Sequence, residues 1–270
     1  MSQHDKKVAF ITGATSGIGA AFARRLAADG YGLILTGRRR ELLETLAQEL
    51  QRNHHVTVET ILAELSDPAE VDKLARLMRE RTIDMLINNA GFGMQGRFYE
   101  ADATREEQMV LVHVLCSLRL TRSALPGMIA RGHGAIINVS SLAAFIPMPM
   151  NVTYSATKAF LKLFSQSLHI ELMGTGVRVQ ALCPGLTRTD FHGRSGLADD
   201  RWLNSRFFTW LTAEKVVGVS LNCLRKNKVV CVPGFWNRML LRGIYWMPTS
   251  IYNRIARWVL IDDRTETSNA

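Results

Sequence analysis

Cysteine is scarce in this chain, and long apolar runs are absent. The four cysteines, Cys116, Cys183, Cys223 and Cys231, form no CxxC pair and no spacing typical of a metal site. This pattern excludes a disulfide framework, predicts no metal, and indicates thiols in a reducing compartment, which we expect to be the cytoplasm. No apolar run reaches about 18 residues, the length a membrane-spanning helix needs, so none is predicted. Only residues 1–7 precede the first strand-like run, so no signal peptide fits.

The chain also lacks an internal boundary. No linker rich in Pro, Gly or Ser, no low-complexity tract and no repeat divides its 270 residues, of which 47% are hydrophobic and 21% are charged. These values are typical of a folded soluble protein. We therefore predict one domain that spans residues 1–270.

Positive charge and tryptophan are concentrated near the end of the chain. Of the net charge of +9, residues 188–270 contribute +6, from 13 Lys and Arg against 7 Asp and Glu, and they hold all five tryptophans. Such a region suits nucleic acid, anionic lipid or an acidic ligand, or it is a solvated surface over a tryptophan-rich core. No nucleic-acid-binding motif is present, so we expect no nucleic-acid partner. Residues 235–270 predict a helical C-terminal extension, which contacts a membrane peripherally or folds onto the domain or a neighbouring subunit.

Short β-branched runs alternate with helical patterns along the chain. This alternation predicts an α/β fold of the Rossmann type, a doubly wound and mostly parallel sheet of about seven strands with helices on both faces. The predicted strands are residues 8–12, 31–36, 56–62, 83–88, 135–139, 177–182 and 229–232. The predicted helices are residues 17–29, 41–52, 68–81, 104–130, 154–173 and 212–226. Asp67 is the expected N-cap of the third helix, and Thr104 to Glu107 form a capping box that opens the fourth.

A glycine-rich turn follows the first strand directly and precedes the first helix. It reads Thr12-Gly13-Ala-Thr-Ser-Gly17-Ile-Gly19. Glycines let the backbone approach a pyrophosphate, and a helix N-terminus offers free N–H groups and a positive dipole. This context predicts a dinucleotide site rather than a flexible turn.

The second strand ends in arginines, where a carboxylate would favour NAD by binding the ribose hydroxyls. The run is Leu-Thr-Gly-Arg38-Arg39-Arg40. Guanidinium groups suit a 2′-phosphate through bidentate contacts. The alternative is a basic loop that opens a helix, although three arginines oppose the dipole at a helix start. We therefore predict NADP(H) as the cofactor.

Tyr154 and Lys158 lie four residues apart in a predicted helix, and Ser141 lies thirteen residues before Tyr154. Side chains at i and i+4 share one helix face, about 5–6 Å apart at Cβ. A phenol has a pKa of about 10, and an adjacent ammonium lowers it by favouring the phenolate. Ser141 follows a predicted strand and can offer its hydroxyl to the same substrate oxygen. The alternative is an ordinary amphipathic helix with an exposed Tyr and Lys.

Taken in order, these motifs resemble the short-chain dehydrogenases/reductases. The resemblance runs from Lys7 to about Gly234, and five motifs in order are far more specific than any one of them. They are the glycine-rich turn, Asn88-Asn-Ala-Gly91, Ser141, Tyr154-xxx-Lys158 and Cys183-Pro-Gly185. The tail resembles a bacterial branch labelled DltE-like, through Pro233-Gly234, Asn237-Arg238 and Met247-Pro248.

The resemblance implies a role for each matching residue. Tyr154 is the implied general acid/base, Lys158 is its pKa-lowering partner and a ribose contact, and Ser141 orients the carbonyl. Arg38 and Arg39 are implied at the 2′-phosphate. The implied cofactor-binding residues are Gly13, Thr15, Ser16, Gly17, Ile18, Gly19, Arg38, Arg39, Glu64, Leu65, Asn89, Ala90, Gly91, Tyr154, Lys158, Pro184, Gly185 and Thr187.

Two positions depart from the family pattern. Glu64 stands where an Asp usually faces adenine, a mild change because the longer carboxylate still reaches the amino group. His113 stands where an Asn usually supports a water chain to the lysine. His113 is therefore a candidate catalytic residue, a proton relay that titrates near neutrality. Alternatively, it is a packed, hydrogen-bonded histidine that leaves the relay to water.

The resemblance implies an NADP(H)-dependent oxidoreductase that transfers a hydride between nicotinamide and a hydrophobic ketone or aldehyde, or a secondary alcohol in reverse. Residues 187–211 would cover the substrate, and their apolar and aromatic side chains favour a small hydrophobic ligand. Basic residues in this segment, Arg194, Arg201 and Arg206, face either an acidic group or solvent. The alternative function, motivated by His113, is a catalytically weak NADP(H)-binding sensor or partner protein. The family also implies a homo-oligomer, a dimer or a tetramer, through the helices after strands four and five.

Overall fold

The computed structural model describes residues 7–189 and 210–257. Seven strands form one parallel sheet in the order β3-β2-β1-β4-β5-β6-β9. Two further short strands, β7 and β8, pair with each other in parallel. β7 precedes residues 190–209 and β8 follows them. The strands are β1 Val8–Thr12, β2 Gly32–Gly37, β3 Val58–Leu62, β4 Met85–Asn88, β5 Gly134–Val139, β6 Val177–Leu182, β7 Thr187–Arg188, β8 Leu211–Thr212 and β9 Val230–Cys231.

Helices cover both faces of the sheet, which confirms the predicted doubly wound fold. Adjacent residues of β1 point to opposite faces, so Ile11 joins one buried cluster and Phe10 the other. Helices α1, α2 and α7 pack on the Ile11 side, and α3, α5 and α6 pack on the Phe10 side. The helices are α1 Gly17–Ala28, α2 Arg40–His54, α3 Pro68–Glu80, α4 Ala103–Val110, α5 Ser117–Arg131, α6 Val152–Glu171, α7 Ala213–Arg225, α8 Phe235–Trp246 and α9 Thr249–Arg257.

The strand order reverses between β1 and β4, and the strands end together at one edge. Thr12 pairs with Thr36, Asn88 pairs with Asn138, and Val139 pairs with Leu182. In open parallel sheets, ligands bind outside the carboxyl ends of the strands where the order reverses. The sheet therefore directs its loops to one candidate site.

The fourth helical region differs from its prediction at the start and in the middle. Helix α4 begins at Ala103, and the Asp102 carboxylate accepts hydrogen bonds from the backbone N–H groups of Thr104 and Arg105. The predicted capping box at Thr104 is therefore wrong, because the carboxylate two residues earlier already accepts from the first-turn N–H groups. A π-helical segment, Leu111–Cys116, separates α4 from α5.

The helical run Ala103–Arg131 is long and apolar enough to cross a membrane by length and composition. Half of its most apolar window is buried inside the fold, and its second half packs against α3. It is the one such run among residues 7–189 and 210–257. Its burial is typical of a core helix in a Rossmann-type fold.

The C-terminal extension is helical as far as residue 257, as predicted. Helix α8 begins after Gly234, and α9 follows a short break at Met247 and Pro248. The Tyr252 hydroxyl of α9 donates a hydrogen bond of 2.5 Å to the carbonyl of Pro147. This bond attaches the extension to the loop between β5 and α6.

The cap at α4 gives a test of stability. We expect Asp102→Ala to lower the free energy of unfolding by about 0.5–2 kcal/mol, because two first-turn N–H groups lose their acceptor. Thr104→Ala is the matched control, and it should leave stability within about 0.5 kcal/mol. Urea titration followed by circular dichroism measures both. A larger loss for Thr104→Ala than for Asp102→Ala would restore the capping box.

Candidate active site

A cleft of about 600 Å³ opens at the carboxyl edge of the sheet. The loops after β1 to β6 line it, so residues far apart in sequence share one wall. All the predicted cofactor-binding residues border this cleft except Gly19. Three of the four predicted catalytic residues, Ser141, Tyr154 and Lys158, border it as well, whereas His113 is fully buried behind it.

The glycine-rich turn has the geometry that a pyrophosphate needs. Gly13 and Gly17 adopt positive φ angles of 64° and 55°, where side chains are strained. A Cβ on Gly13 would lie 2.8 Å from the Cα of Ala90. Ser16 occupies the N-cap of α1 but makes no side-chain capping bond, which leaves the first-turn N–H groups for an anion. The turn thus fits a dinucleotide phosphate.

Gly19 lies under the turn rather than in the cleft. A Cβ at this position would lie 2.4 Å from the carbonyl oxygen of Gly13 and 2.5 Å from the amide nitrogen of Asn89. The glycine therefore lets α1 approach the turn closely. Its role is packing beneath the cofactor site.

Thr12 and Asn89 hold the loops after β1 and β4 together. The Thr12 hydroxyl oxygen accepts hydrogen bonds from the N–H groups of Asn89 and Ala90, at 2.9 and 3.0 Å. The Asn89 side-chain amide donates to the carbonyls of Thr12 and Gly13, at 2.9 and 3.0 Å. These four bonds fix the floor of the cleft at the point of strand reversal.

One end of the cleft carries two arginines and one carboxylate. Arg38 forms an ion pair of 3.2 Å with Glu64, and both side chains are largely exposed. Arg39 donates to the hydroxyls of Thr15 and Ser16, at 2.7 and 3.0 Å, which places its guanidinium against the glycine-rich turn. Partial burial raises the pKa of Glu64, but hydrogen bonds from Ser66 and the charge of Arg38 outweigh it, so the pKa lies below its usual value. Two guanidiniums beside a phosphate-binding turn fit a 2′-phosphate.

The other end brings Ser141, Tyr154 and Lys158 together. Tyr154 lies in the first turn of α6, and the Lys158 ammonium lies 5.6 Å from the centre of its ring. Lys158 is buried and donates a hydrogen bond of 3.0 Å to the carbonyl of Val139. Ser141 caps the short 3-10 helix Leu142–Phe145, and its hydroxyl accepts from the N–H of Ala143.

Burial decides the pKa of both groups on α6. It raises the pKa of Tyr154 above its usual value, although a hydrogen bond with Ser141 lowers it in part. This direction is opposite to the lowering predicted from the spacing of Tyr154 and Lys158. Burial also lowers the pKa of Lys158 to about 8. The phenol is consequently protonated at neutral pH, while most of the lysine carries its charge.

His113 is fully buried, and both of its ring nitrogens are engaged. Nε2 accepts a hydrogen bond of 3.1 Å from the N–H of Phe92, and Nδ1 lies 2.9 Å from the Thr157 hydroxyl oxygen. Thr157 donates its own proton to the carbonyl of Tyr154, so its oxygen accepts from a protonated Nδ1. Burial and the charge of Lys158 hold the pKa of His113 well below its usual value. The geometry favours a neutral, packed imidazole over a proton relay.

Several residues of the cleft were not predicted. Two come from α8, where Asn237 is buried against Gly185 and Leu240 borders the cavity. Asn237 is part of the tail motif noted in the sequence, and that motif was the available signal. The remaining unpredicted lining residues are Gly37, Ala63, Phe92, Gly93, Arg105, Gln108, Val112, Val139, Ser140, Leu142, Ala143, Ile146, Met148, Asn151 and Leu186, whereas Thr189 belongs to the segment predicted to cover the substrate.

The segment predicted to cover the substrate is described only at its ends. Leu211 donates its N–H to the carbonyl of Leu186, and β7 pairs with β8 beside the cleft. Residues 190–209, with Arg194, Arg201, Arg206 and most of the predicted aromatic side chains, lie outside the described residues.

The comparisons with known proteins agree with this geometry. The family described as short chain dehydrogenase matches residues 7–199. The sulfoacetaldehyde reductase of Chromohalobacter salexigens is 42% identical over 186 residues, which cover 67% of this chain and 73% of that protein.

Two solved structures share the fold. A short-chain dehydrogenase from Sphingobium yanoikuyae in complex with NADPH is 33% identical, with a TM-score of 0.79 over 85% of this chain and 88% of that chain. The bulky-bulky ketone specific alcohol dehydrogenase from Comamonas testosteroni is 30% identical, with a TM-score of 0.75 over 88% of this chain and 93% of that chain.

The contact between His113 and Gly91 gives a test of the packed histidine. A Cβ on Gly91 would lie 2.5 Å from Nε2 of His113 and 2.9 Å from its Cδ2. We expect Gly91→Ala to cost about 1–3 kcal/mol of stability through overpacking. In the double variant with His113→Asn, a smaller side chain, the two losses should be less than additive by about 0.5–3 kcal/mol. Chemical denaturation of the four proteins measures the cycle.

The matched control for this cycle is Gly218→Ala in α7, where nothing lies within 4 Å of the added Cβ. That change should leave stability unchanged or raise it by up to about 1 kcal/mol. Strictly additive losses for Gly91→Ala and His113→Asn would show that the two residues do not share this contact.

Proposed function

The chain belongs to the short-chain dehydrogenases, and from that membership we propose that it is an NADP(H)-dependent oxidoreductase. It transfers a hydride between nicotinamide and a hydrophobic ketone or aldehyde, or the corresponding secondary alcohol. The observation that carries the proposal is the division of one cleft into two ends. Arg38 and Arg39 lie at one end, and Ser141, Tyr154 and Lys158 lie at the other.

The described residues fit this cofactor. The glycine-rich turn would hold its pyrophosphate, and Arg38 and Arg39 would hold its 2′-phosphate. The ion pair between Arg38 and Glu64 is exposed and contributes little, so a phosphate replaces it at small cost. Pro184, Gly185 and Thr187 would border the nicotinamide. When bound, the cofactor supplies or accepts the hydride.

The residues at the other end would manage the proton. Because burial raises the pKa of Tyr154, the phenol keeps its proton until the carbonyl oxygen gains negative charge, and it then donates that proton. Ser141 would hydrogen-bond the same oxygen and orient it. The Lys158 ammonium, held by the carbonyl of Val139, would stabilise the phenolate left on Tyr154. The same groups work in reverse for alcohol oxidation.

The walls of the cleft support a hydrophobic substrate. Leu142, Ile146, Met148, Leu186 and Leu240 are among the residues that line the cleft. Clefts lined in this way bind apolar ligands and use a few polar groups for orientation. The relative from Comamonas testosteroni, named for bulky ketones, is in keeping with this choice.

A second candidate is a short anionic aldehyde. Arg105 borders the cleft, and the 42% identical relative is named for sulfoacetaldehyde. A panel of bulky ketones and short anionic aldehydes, each with NADPH and with NADH, separates the two. Faster turnover of the anionic aldehydes would favour this second candidate.

The proposal also includes the cellular location and the oligomeric state of the enzyme. The four cysteines are all free, which supports the cytoplasm. Exposed apolar residues on the helices after β4 and β5 support a homo-oligomer through those helices. They are Val110, Leu115, Ile129, Val152, Leu163 and Ile170. The single domain and the DltE-like branch stay predictions.

Removal of the proposed acid gives the first test of function. We expect Tyr154→Phe to lower turnover by about 10²–10⁴-fold, because the carbonyl oxygen loses its proton donor. NADPH affinity, measured by fluorescence titration, should stay within a few-fold. Tyr31→Phe removes the same hydroxyl outside the cleft and should leave turnover unchanged. Full turnover by Tyr154→Phe would exclude Tyr154 as the acid.

Removal of an arginine tests cofactor choice. We expect Arg39→Leu to weaken NADPH binding by about 10–100-fold, because the 2′-phosphate would lose one or two charge-assisted hydrogen bonds. NADH affinity should hardly change, because NADH lacks the 2′-phosphate. Arg40→Leu is the matched control, since Arg40 pairs with Glu44 on the outer side of α2. Equal losses for NADPH and NADH would contradict the assignment.

A further inference from the structure

The last two described helices expose an unusual amount of apolar surface. Eighteen large hydrophobic residues are exposed in the part of the chain that the structure describes, and eight of them lie within residues 235–257. They are Phe235, Trp236, Met239, Leu240, Tyr245, Trp246, Ile251 and Ile255. Single exposed hydrophobics are ordinary, but such a concentration on two consecutive helices indicates an interaction surface.

Each helix attaches to the fold along a narrow row and exposes the rest. In α8, Asn237 is buried, and its side-chain amide donates a 2.7 Å hydrogen bond to the carbonyl of Pro233. In α9, Ala256 is buried, and Tyr252 donates to Pro147. Trp246 and Tyr245, by contrast, are 83% and 86% exposed. The apolar side chains are therefore held in place but left uncovered by the described residues.

The charge of this surface is of one sign. Arg238, Arg242, Arg254 and Arg257 lie on the two helices, and no Asp or Glu occurs anywhere from residue 215 to residue 261. In a symmetric dimer, the same patch meets itself. That arrangement would bring eight guanidiniums together, twice the four on one chain, without a carboxylate from these helices. An anionic partner fits the surface better than a second copy.

The surface also adjoins the mouth of the cleft. Leu240 of α8 borders the cavity, and Tyr252 of α9 bonds the loop that carries Met148, another lining residue. Gly96 donates its N–H to the carbonyl of Met150 in this loop, and Phe98 and Tyr99, two and three residues after Gly96, are exposed. Exposed apolar side chains thus lie on the extension and on the loop after β4, and both of these segments contribute residues to the lining of the cleft.

We propose that α8 and α9 bind the surface of an anionic lipid bilayer, with the cleft mouth beside the membrane, so that an apolar carbonyl substrate enters from the lipid. Tryptophan and tyrosine prefer the interface between lipid and water, and arginines bind anionic headgroups. The entry of substrate rests on the proposed function, whereas the binding of lipid does not.

The binding step is tested by sedimentation of the full chain with vesicles of phosphatidylcholine alone or with added phosphatidylglycerol. We expect binding to the anionic vesicles that weakens with salt, and weaker binding to the neutral ones. The double variant Tyr245→Ala/Trp246→Ala should lose at least ten-fold in affinity, and Arg242→Gln/Arg254→Gln about five-fold for each arginine. Leu42→Ala, an exposed apolar residue of α2, is the matched control and should bind like the natural chain.

Two results would overturn lipid binding. One is equal or absent sedimentation with both kinds of vesicle. The other is a lower oligomeric state of Tyr245→Ala/Trp246→Ala in light scattering without vesicles, which would assign the surface to a second copy.

Measurements of turnover distinguish the binding of lipid from the entry of substrate through the lipid. With anionic vesicles, we expect faster reduction of a membrane-partitioned ketone but not of a water-soluble one, and Tyr245→Ala/Trp246→Ala should lose only that increase. Vesicle binding without the increase would remove substrate entry from lipid. Inactivity towards every carbonyl would contradict the proposed function and leave the sedimentation result intact.

Discussion

The hydrogen bonds between Thr12 and Asn89 join the two loops on which the cleft depends. β1 and β4 are neighbours at the point where the strand order reverses, and their loops leave the sheet side by side. Four bonds between the loops keep the glycine-rich turn open towards a ligand and bring Ala90 against Gly13. A longer residue at Gly13 or Gly19 would push the loops apart. The cofactor site therefore depends on the hydrogen bonds that hold these two loops together.

Burial, more than spacing, determines the chemistry at the other end of the cleft. The i, i+4 spacing brings Tyr154 and Lys158 to one face, but the low polarity of their surroundings raises one pKa and lowers the other. His113 is buried behind the cleft and belongs to the same environment. Its buried ring, which belongs to the π-helical segment Leu111–Cys116, bonds both Phe92 and Thr157. Proton donation by a buried phenol is consistent with this arrangement.

Much of the fold was predictable because its signals are local. The runs of β-branched residues, and the glycines that end them, predict all seven strands of the main sheet. Because these strands are parallel, the motifs that follow them lie at one edge of the sheet. Features that depend on distant contacts were not predictable. The direction of the Tyr154 pKa depends on packing around α6, and the place of Asn237 in the cleft depends on how α8 returns to Gly185. The cap at Asp102 is also a local signal, but the Thr104 motif two residues later competes with it in the sequence.

The short parallel pair β7 and β8 has a consequence for how such enzymes diversify. Its few backbone bonds hold Leu186 and Leu211 together, so the chain leaves and re-enters the framework at nearly one place. The entropy of closing a loop rises only slowly with its length. The stretch between these strands can therefore be lengthened at small entropic cost while the sheet, Ser141 and Tyr154 keep their positions. If this stretch covers the substrate, as the sequence predicts, substrate range would evolve, or be engineered, without change to Ser141, Tyr154 and Lys158.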